Sequence, residues 1–385
     1  MFEPVTRLMA QGIDEQVFPG AVLLFSREKA ITYHQAFGVA DLGTGEPVIK
    51  ESIFDLASLT KPLASTLAVL YLIKENKLSF DTTLDQVFSA TTDIQVPKEK
   101  AGITIDMLLR HSSGLPAHRE YFRTLAFRGT PSDALAVSGY GPIGIRDLKR
   151  KYQERLRQLV LAEPLESSPG ATQVYSDLGF ILLCWIVEMV SGKRLDTFAA
   201  ENIYLPLDIS RLGFRRLNHH KEGPGQPRAR VPLVSTEQCP WRKRTLKGEV
   251  HDDNAWISGG VEGHAGLFGD ARGVHRICCA ILDALYSKSH PVIDPLLLRH
   301  CVQKKAGHVM AAGFDTPSKS GSSSGRFFSS NSIGHLGYTG TSFWIDPKRS
   351  IIVILLTNRV HPSRNNMKIK MFRPLIHDQI MSVMM

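Results

Sequence analysis

The stretch Ser58-Leu59-Thr60-Lys61 puts a hydroxyl and an amine three residues apart. At the start of a helix, residues so spaced share a face, with Cβ atoms about 5–6 Å apart. A serine hydroxyl is a poor nucleophile without a neighbouring base. Lysine can be that base when burial or nearby cations lower its pKa. The positive end of the helix dipole then favours the negative charge that develops in acyl transfer. The spacing alone is unspecific, because Ser26-Arg27-Glu28-Lys29 repeats it. That copy lies between strand-like runs at 21–25 and 30–35 and reads as a solvated hairpin turn.

Two other stretches carry groups suited to the same chemistry. Tyr175-Ser176-Asp177 follows the turn Pro169-Gly170 and directly precedes a strongly apolar run. A loop tyrosine can lend its phenol to proton transfer where cations favour phenolate. His335-Leu336-Gly337 sits where a strand approaches the turn Tyr338-Thr339-Gly340-Thr341. Glycine there lets a substrate lie against the strand, and a backbone N–H can serve an oxyanion hole. Lys319-Ser320-Gly321 is a rival without a following strand. His264-Ala265-Gly266, on a Gly-rich loop, suits a wall of the cleft. His251, Asp252 and His264 have no metal-ligand spacing, so no metal is expected.

These residues need elements to hold them. Leu63, Leu67, Leu70 and Ile73 fall at helical spacing and mark the buried stripe of a helix over 59–75, with Pro62 in its first turn. Thr104 caps a helix over 104–110 that leads into His111-Ser112-Ser113-Gly114-Leu115-Pro116. Leu182, Leu183, Ile186, Val187 and Val190 define an apolar helix over 178–190, stopped by Ser191-Gly192. Residues 211–248 are rich in Arg, Lys, Pro and Gly, including Arg215, Arg216, Arg228, Arg230, Arg242 and Arg244, and read as a long basic loop at the rim of a site. Strand-like runs at 327–337, 341–346 and 350–357, then a helix over 366–384, end the chain. Strands at both ends must find a common sheet, since neither hairpin is stable alone. The expected fold is α/β. An antiparallel sheet domain built from 1–61 and 326–385 is flanked by helices. A mostly helical domain, 62–325, is inserted, with a basic excursion at 211–248. The site is expected between the two.

Composition sets the bounds. The 385 residues are 43% hydrophobic and 22% charged, the values of a soluble globular protein. No apolar run is long enough to span a bilayer. A net charge of +9 points weakly to an anionic partner or surface, and no nucleic-acid partner is expected. Five cysteines lack zinc spacing and read as reduced thiols. No basic segment followed by an apolar one is seen near Met1, so a cytoplasmic location is expected.

In this order, Ser58-Leu59-Thr60-Lys61, Tyr175-Ser176-Asp177 and His335-Leu336-Gly337 resemble the three signature elements of the serine β-lactamase and penicillin-binding-protein superfamily. The phrases Leu108-Leu109-Arg110-His111-Ser112-Ser113-Gly114-Leu115-Pro116, Gly263-His264-Ala265-Gly266-Leu267-Phe268 and Gly340-Thr341-Ser342-Phe343-Trp344-Ile345-Asp346-Pro347 are similar to it too. The resemblance covers almost the whole chain. It is closest to the class C branch, which includes D-alanyl-D-alanine carboxypeptidases and family VIII carboxylesterases. It implies a β-lactamase-like fold and an acyl-enzyme hydrolase that uses no metal or organic cofactor. Ser58 would attack the carbonyl, Lys61 and Tyr175 would share the acid–base work, and the N–H groups of Ser58 and Tyr338 would form the oxyanion hole. Asp177, His335 and Gly337 would contact the substrate.

Two departures from that pattern matter. The second element usually ends in Asn, and Asp177 is acceptor-only when ionised. It should hold Lys61 protonated, favouring Tyr175 as base. The third element usually begins with Lys, whereas His335 is mostly neutral near pH 7. Both changes disfavour β-lactam hydrolysis. They suit a small ester, or a peptide whose carboxylate is bound elsewhere, for instance by the arginines of 211–244. A carboxylesterase acting on small acyl esters is the first expectation. A D-alanyl-D-alanine carboxypeptidase or amidase, a weak β-lactamase and an acyltransferase are the enzymatic alternatives. A non-catalytic penicillin sensor or scaffold is the alternative of another class.

Overall fold

Two uninterrupted apolar runs, at 22–25 and 351–356, have no polar face to give to water, so each must be covered on both sides. In the computed structural model, which describes residues 2–126, 145–217 and 231–384, they pair antiparallel, with Leu23 opposite Leu355 and Phe25 opposite Val353. The strands are β1 (Gly20–Arg27), β2 (Ala30–Gly38), β3 (Phe54–Asp55), β4 (Leu212–Phe214), β5 (Ser235–Cys239), β6 (Arg244–Lys247), β7 (Leu267–Gly269), β8 (Ile333–Leu336), β9 (Ser342–Asp346) and β10 (Ile351–Thr357). The helices are α1 (Glu3–Asp14), α2 (Leu67–Lys74), α3 (Leu84–Thr91), α4 (Ile105–Leu109), α5 (Tyr121–Ala126), α6 (Ile145–Ala162), α7 (Asp177–Ser191), α8 (Leu195–Ala199), α9 (Asp253–Ile257), α10 (Ala271–Tyr286), α11 (Pro295–Val302) and α12 (Ile369–Met384).

The main sheet has the order β2-β1-β10-β9-β8, so strands from both ends of the chain share it as expected. Alternate residues go to opposite faces. Val22, Leu24, Ile352, Ile354 and Leu356 join a core with α2, α7 and α10. Ala21, Leu23, Phe25, Val353 and Leu355 join a second core with Val5 and Met9 of α1 and Phe372, Ile376 and Ile380 of α12. Each large apolar side chain so buried contributes roughly 1.5–3 kcal/mol. A smaller sheet, β3-β7-β4, braces the loop that leads to Ser58.

Three local expectations are corrected. The segment after Ser58 is not one regular helix. A 3-10 turn at Ala57–Leu59 and a π-helical stretch at Lys61–Thr66 precede α2. The apolar stripe survives, but periodicity cannot register a locally widened turn, and such turns gather at functional sites. The strand expected over 327–337 is confined to Ile333–Leu336. Before it, the Asp346 carboxylate on β9 accepts from both the backbone N–H and the hydroxyl of Ser329, so that N–H goes to a side chain and not to a strand ladder. The basic stretch 211–248 contains β4 and the β5–β6 hairpin, while 218–230, with Arg228 and Arg230, lies outside the described residues. Among the described residues, no helix is long and apolar enough to cross a membrane.

Candidate active site

The loop before the nucleophile is held from three sides. The buried Asp55 carboxylate accepts from Ala57 N–H at 2.9 Å and His251 N–H at 2.6 Å. Ala57 is thereby kept at φ +48°, a left-handed conformation that costs a residue with a Cβ about 1–2 kcal/mol. The Thr60 hydroxyl donates to Ala57 C=O at 2.6 Å and accepts from Leu267 N–H at 3.1 Å. From the main sheet, the Thr339 and Thr341 hydroxyls donate to the carbonyls of Asp55 and Leu56 at 2.8 and 3.0 Å. The β8–β9 turn and the nucleophile loop are therefore one tied unit.

The tyrosine loop has its own scaffold. Ser176 caps α7, its N–H donates to His111 Nδ1 at 3.0 Å, and its hydroxyl donates to Pro116 C=O at 2.6 Å. Asp177 N–H donates to Ala117 C=O at 2.9 Å. The run from His111 to Pro116 is thus the bed on which Tyr175 and Asp177 rest. His111 takes φ +57° there. Burial, with Lys61 nearby, lowers its pKa to about 3, so its ring is neutral and free to accept at Nδ1.

On this frame the expected residues converge. Lys61 Nζ lies 2.9 Å from Ser58 Oγ, 2.7 Å from Asp177 Oδ1 and 3.3 Å from His264 C=O. The same ammonium stands 4.8 Å from the centre of the Tyr175 ring, and Tyr175 and Ser58 line one cavity. His335, Gly337 and Tyr338 line a cavity of about 470 Å³ together with Ser58 and Tyr175. Asp177 lines a second cavity of about 360 Å³ that also includes Ser58 and Tyr175, with His118, Asp252 and His264. The copy at Ser26 is different. Its hydroxyl is buried against His275 Nε2 at 2.9 Å, whereas Lys29 pairs with Asp283 at 2.7 Å. The turn is at Glu28 and Lys29, both at positive φ, and Ser26 itself is not solvated.

Electrostatics follow from burial and pairing. Burial would lower the Lys61 pKa, but the Asp177 carboxylate and the Tyr175 phenol outweigh it, and the ammonium is held above its ordinary range. Burial raises the Tyr175 pKa, partly offset by Lys61. Burial would also raise Asp177, yet Lys61 and His118 hold it well below the usual carboxylate range. The resting trio is therefore ammonium, carboxylate and neutral phenol. Asp177 grips Lys61 as expected, and Tyr175 is held protonated as well. His335 is lowered to about 3 by burial and by Lys61, with Nδ1 2.9 Å from Leu336 C=O. It brings no positive charge to the cleft.

Among the described residues, the cations that line the Ser58 cavity come from elsewhere than the basic stretch. Arg215 donates to Gly248 C=O, Arg216 pairs with Asp196, Arg242 with Asp253, and Arg244 with Glu249. These four are committed to the fold. Instead Arg359, Lys370 and Arg373 line the Ser58 cavity. Arg373 is buried, and Nη2 donates to the carbonyls of Gly337 and Thr341 at 3.3 and 3.0 Å. Its Nε has no partner, and no carboxylate pairs with it among the described residues. Sequence reasoning missed it because it lies on a helix assigned to closing the fold. The available signal was Lys370 and Arg373 at i, i+3 in the first turns of an amphipathic helix.

Comparison with known proteins shows the family. Residues 5–375 match the family model described as Beta-lactamase. The chain belongs to the beta-lactamase family. A putative D-alanyl-D-alanine carboxypeptidase of Escherichia coli O157:H7 is 29% identical over 374 residues, covering 92% of this chain and 82% of that one. An N-acetylmuramyl-L-alanine amidase of Bacillus subtilis (strain 168) is 31% identical over 370 residues, covering 89% and 78%. Among solved structures, the simvastatin synthase of Aspergillus terreus superposes with a TM-score of 0.69 at 17% identity, covering 99% of this chain and 98% of that one, a likeness of fold. The five-stranded antiparallel sheet with its helices is the beta-lactamase fold, and the chain is a serine hydrolase of that family.

Proposed function

We propose that Ser58 is acylated by substrate and then freed by water. Once the Lys61–Tyr175 pair has lost one proton to solvent, the Ser58 hydroxyl attacks the carbonyl while its own proton passes to that pair. The oxyanion is received by the N–H groups of Ser58 and Tyr338; the latter takes no acceptor among the described residues. The leaving group takes a proton back from the same pair. The pair rests fully protonated, as ammonium and phenol, so one proton must first leave to solvent; either Lys61 or Tyr175 can give it up and then receive the Ser58 proton.

The preferred substrate is a short peptide or amide whose departing part carries a carboxylate, of the D-amino-acid cell-wall type. Arg373 carries this reading. A buried guanidinium without a carboxylate partner, in the cavity that holds Ser58, is an incomplete ion pair that an anionic substrate group completes. The relatives named as a carboxypeptidase and an amidase are consistent with it. Carboxylesterase action on small acyl esters is the second reading, favoured by the apolar wall of Met310, Leu336, Met367 and Ile369.

The test compares an acyl-D-Ala-D-Ala peptide with its C-terminal amide, alongside p-nitrophenyl esters and nitrocefin. A charge-assisted hydrogen bond contributes about 1.5–3 kcal/mol, so the free carboxylate should raise kcat/KM roughly 10–100-fold. Arg373→Met should collapse that ratio. Equal rates on acid and amide, with faster turnover of p-nitrophenyl butyrate, would leave the esterase reading in its place.

A further inference from the structure

Asp177 uses both of its oxygens. Oδ1 faces Lys61 Nζ at 2.7 Å, and Oδ2 faces His118 Nδ1 at 3.2 Å. A continuous polar chain therefore runs Ser58, Lys61, Asp177, His118. Exposure rises along it, from 0% at the Lys61 side chain to 18% at Asp177 and 43% at His118. His118 stands on the loop between α4 and α5, beyond the motif residues, and lines the second cavity beside Ser58. It touches neither Ser58 nor Lys61 directly.

We propose that His118 is a positioning residue for acyl transfer: through Asp177 it sets how firmly Lys61 is held as an ammonium, and it links that buried amine to solvent protons. This rests on the reading of Ser58 as nucleophile and Lys61 as part of its acid–base pair. After the network has lost one proton, two arrangements are available. In one, His118 is neutral and Asp177 belongs wholly to the Lys61 ammonium. In the other, His118 is an imidazolium that takes up the Asp177 charge, and Lys61 is an amine able to accept the Ser58 proton. The two differ by the place of a single proton, so neither Lys61 nor His118 titrates alone. A carboxylate at position 177 with no second cation would lock Lys61 in its unreactive form. His118 offsets that grip.

The surrounding charges favour the imidazolium. His118 meets Asp177 from α7, Asp252 from the N-cap of α9 and Glu120 from its own loop; hydrogen bonding to Asp177 comes first, and its pKa is raised. Lys61 is faced by Asp177, Tyr175, the His264 carbonyl and the neutral rings of His111 and His335. His264 also acts on Asp177, while its own ring pairs with Asp252 at 2.9 Å. Arg364 also lines this cavity.

The experiment measures the rate of labelling by a fluorophosphonate from pH 5 to 10. His118→Gln should slow labelling at pH 7 about tenfold and move the rising limb about one pH unit upward, because Asp177 then serves Lys61 alone. His118→Arg, a permanent cation, should stay within threefold of the parent at pH 7. In an Asp177→Asn background the Gln and Arg variants should agree within twofold. By NMR, the His118 pKa should rise in Lys61→Met, where Asp177 has lost its other partner, a readout that needs no activity. A His118→Gln profile that overlays the parent, a loss that persists in the Asp177→Asn background, or an unmoved His118 titration in Lys61→Met would each overturn the proposal. Ser58→Ala is run beside them. Labelling that survives there removes the nucleophile reading itself, a different failure from any in the His118 series.

Discussion

At the scale of single residues, the site is governed by one buried ion pair. Lys61 is raised and Asp177 depressed, so the sign of the pH dependence is fixed at both ends. The Lys61 contribution is complete below the ordinary lysine pKa of about 10.4 and is lost as pH rises through the higher folded value. The Asp177 contribution is complete above about 3.9 and is lost as pH falls toward its lower folded value. Stability from this pair should therefore be flat from about pH 5 to pH 9. Lys61→Met leaves a buried carboxylate with His118 as its remaining cation, and should cost about 3–5 kcal/mol in urea unfolding at pH 7, with most of it recovered in Lys61→Met/Asp177→Asn. Ser26→Ala should keep labelling and hydrolysis within twofold, because the Ser26 hydroxyl serves His275 and stands apart from any lysine. Its cost should be about 1 kcal/mol of stability, from the partner lost to His275. A dead Ser26→Ala enzyme would mean that the nucleophile has been misplaced.

At the scale of elements, function depends on the seam between the β8–β9 hairpin and the nucleophile loop. A Cβ at Gly337 would lie 2.0 Å from Thr341 Oγ1 and 2.7 Å from Leu56 C=O. The first clash is within the hairpin and the second reaches the loop that carries Ser58, so the hairpin must shift away. Gly337→Ala should lower kcat/KM about 100-fold, the scale of loss for a displacement near 1 Å, while far-UV circular dichroism stays native. Retained kcat/KM would show that the seam has slack the contacts do not suggest. The same seam explains the irregular stretch at 57–66. A regular helix from 59 onward would satisfy its own backbone. Instead the Ala57 N–H goes to Asp55, and the Thr60 side chain is shared between the Ala57 carbonyl and β7. Long-range hydrogen bonds of this kind leave no trace in local periodicity, which is why the apolar stripe could be read and the widened turn could not.

At the scale of the molecule, α12 does two things at once. Its inner face covers the sheet with Phe372, Ile376, Ile380 and Met381, and its first turns carry Lys370 and Arg373 to the cleft. Losing four such side chains from the core removes roughly 1.5–3 kcal/mol each, comparable with the whole net stability of a domain, about 5–15 kcal/mol. A chain ending at residue 366 should therefore show no cooperative thermal transition. A folded protein of that length would deny the helix its structural role and reduce it to a bearer of substrate contacts. Since α12 packs on β1 and β10, strands from opposite ends of the sequence, the cation wall of the cleft forms only once the sheet has closed.

The sequence by itself determined what depends on short separations. The three-residue spacing of Ser58 and Lys61, the Thr104 cap, the Ser191-Gly192 stop and the apolar strands at both ends were all legible, because each is a matter of neighbours along the chain. The pairing of Asp177 with Lys61 was legible as well, once both were assigned to one site. The tertiary structure alone decided that Arg359, Lys370 and Arg373 reach the cleft, that Arg215, Arg216, Arg242 and Arg244 are spent on internal partners, and that the second oxygen of Asp177 faces His118. These depend on how helices seat against a sheet and on which charges burial forces together. No window along the polypeptide contains that information, since the partners become neighbours only when apolar faces far apart in the chain are buried against each other.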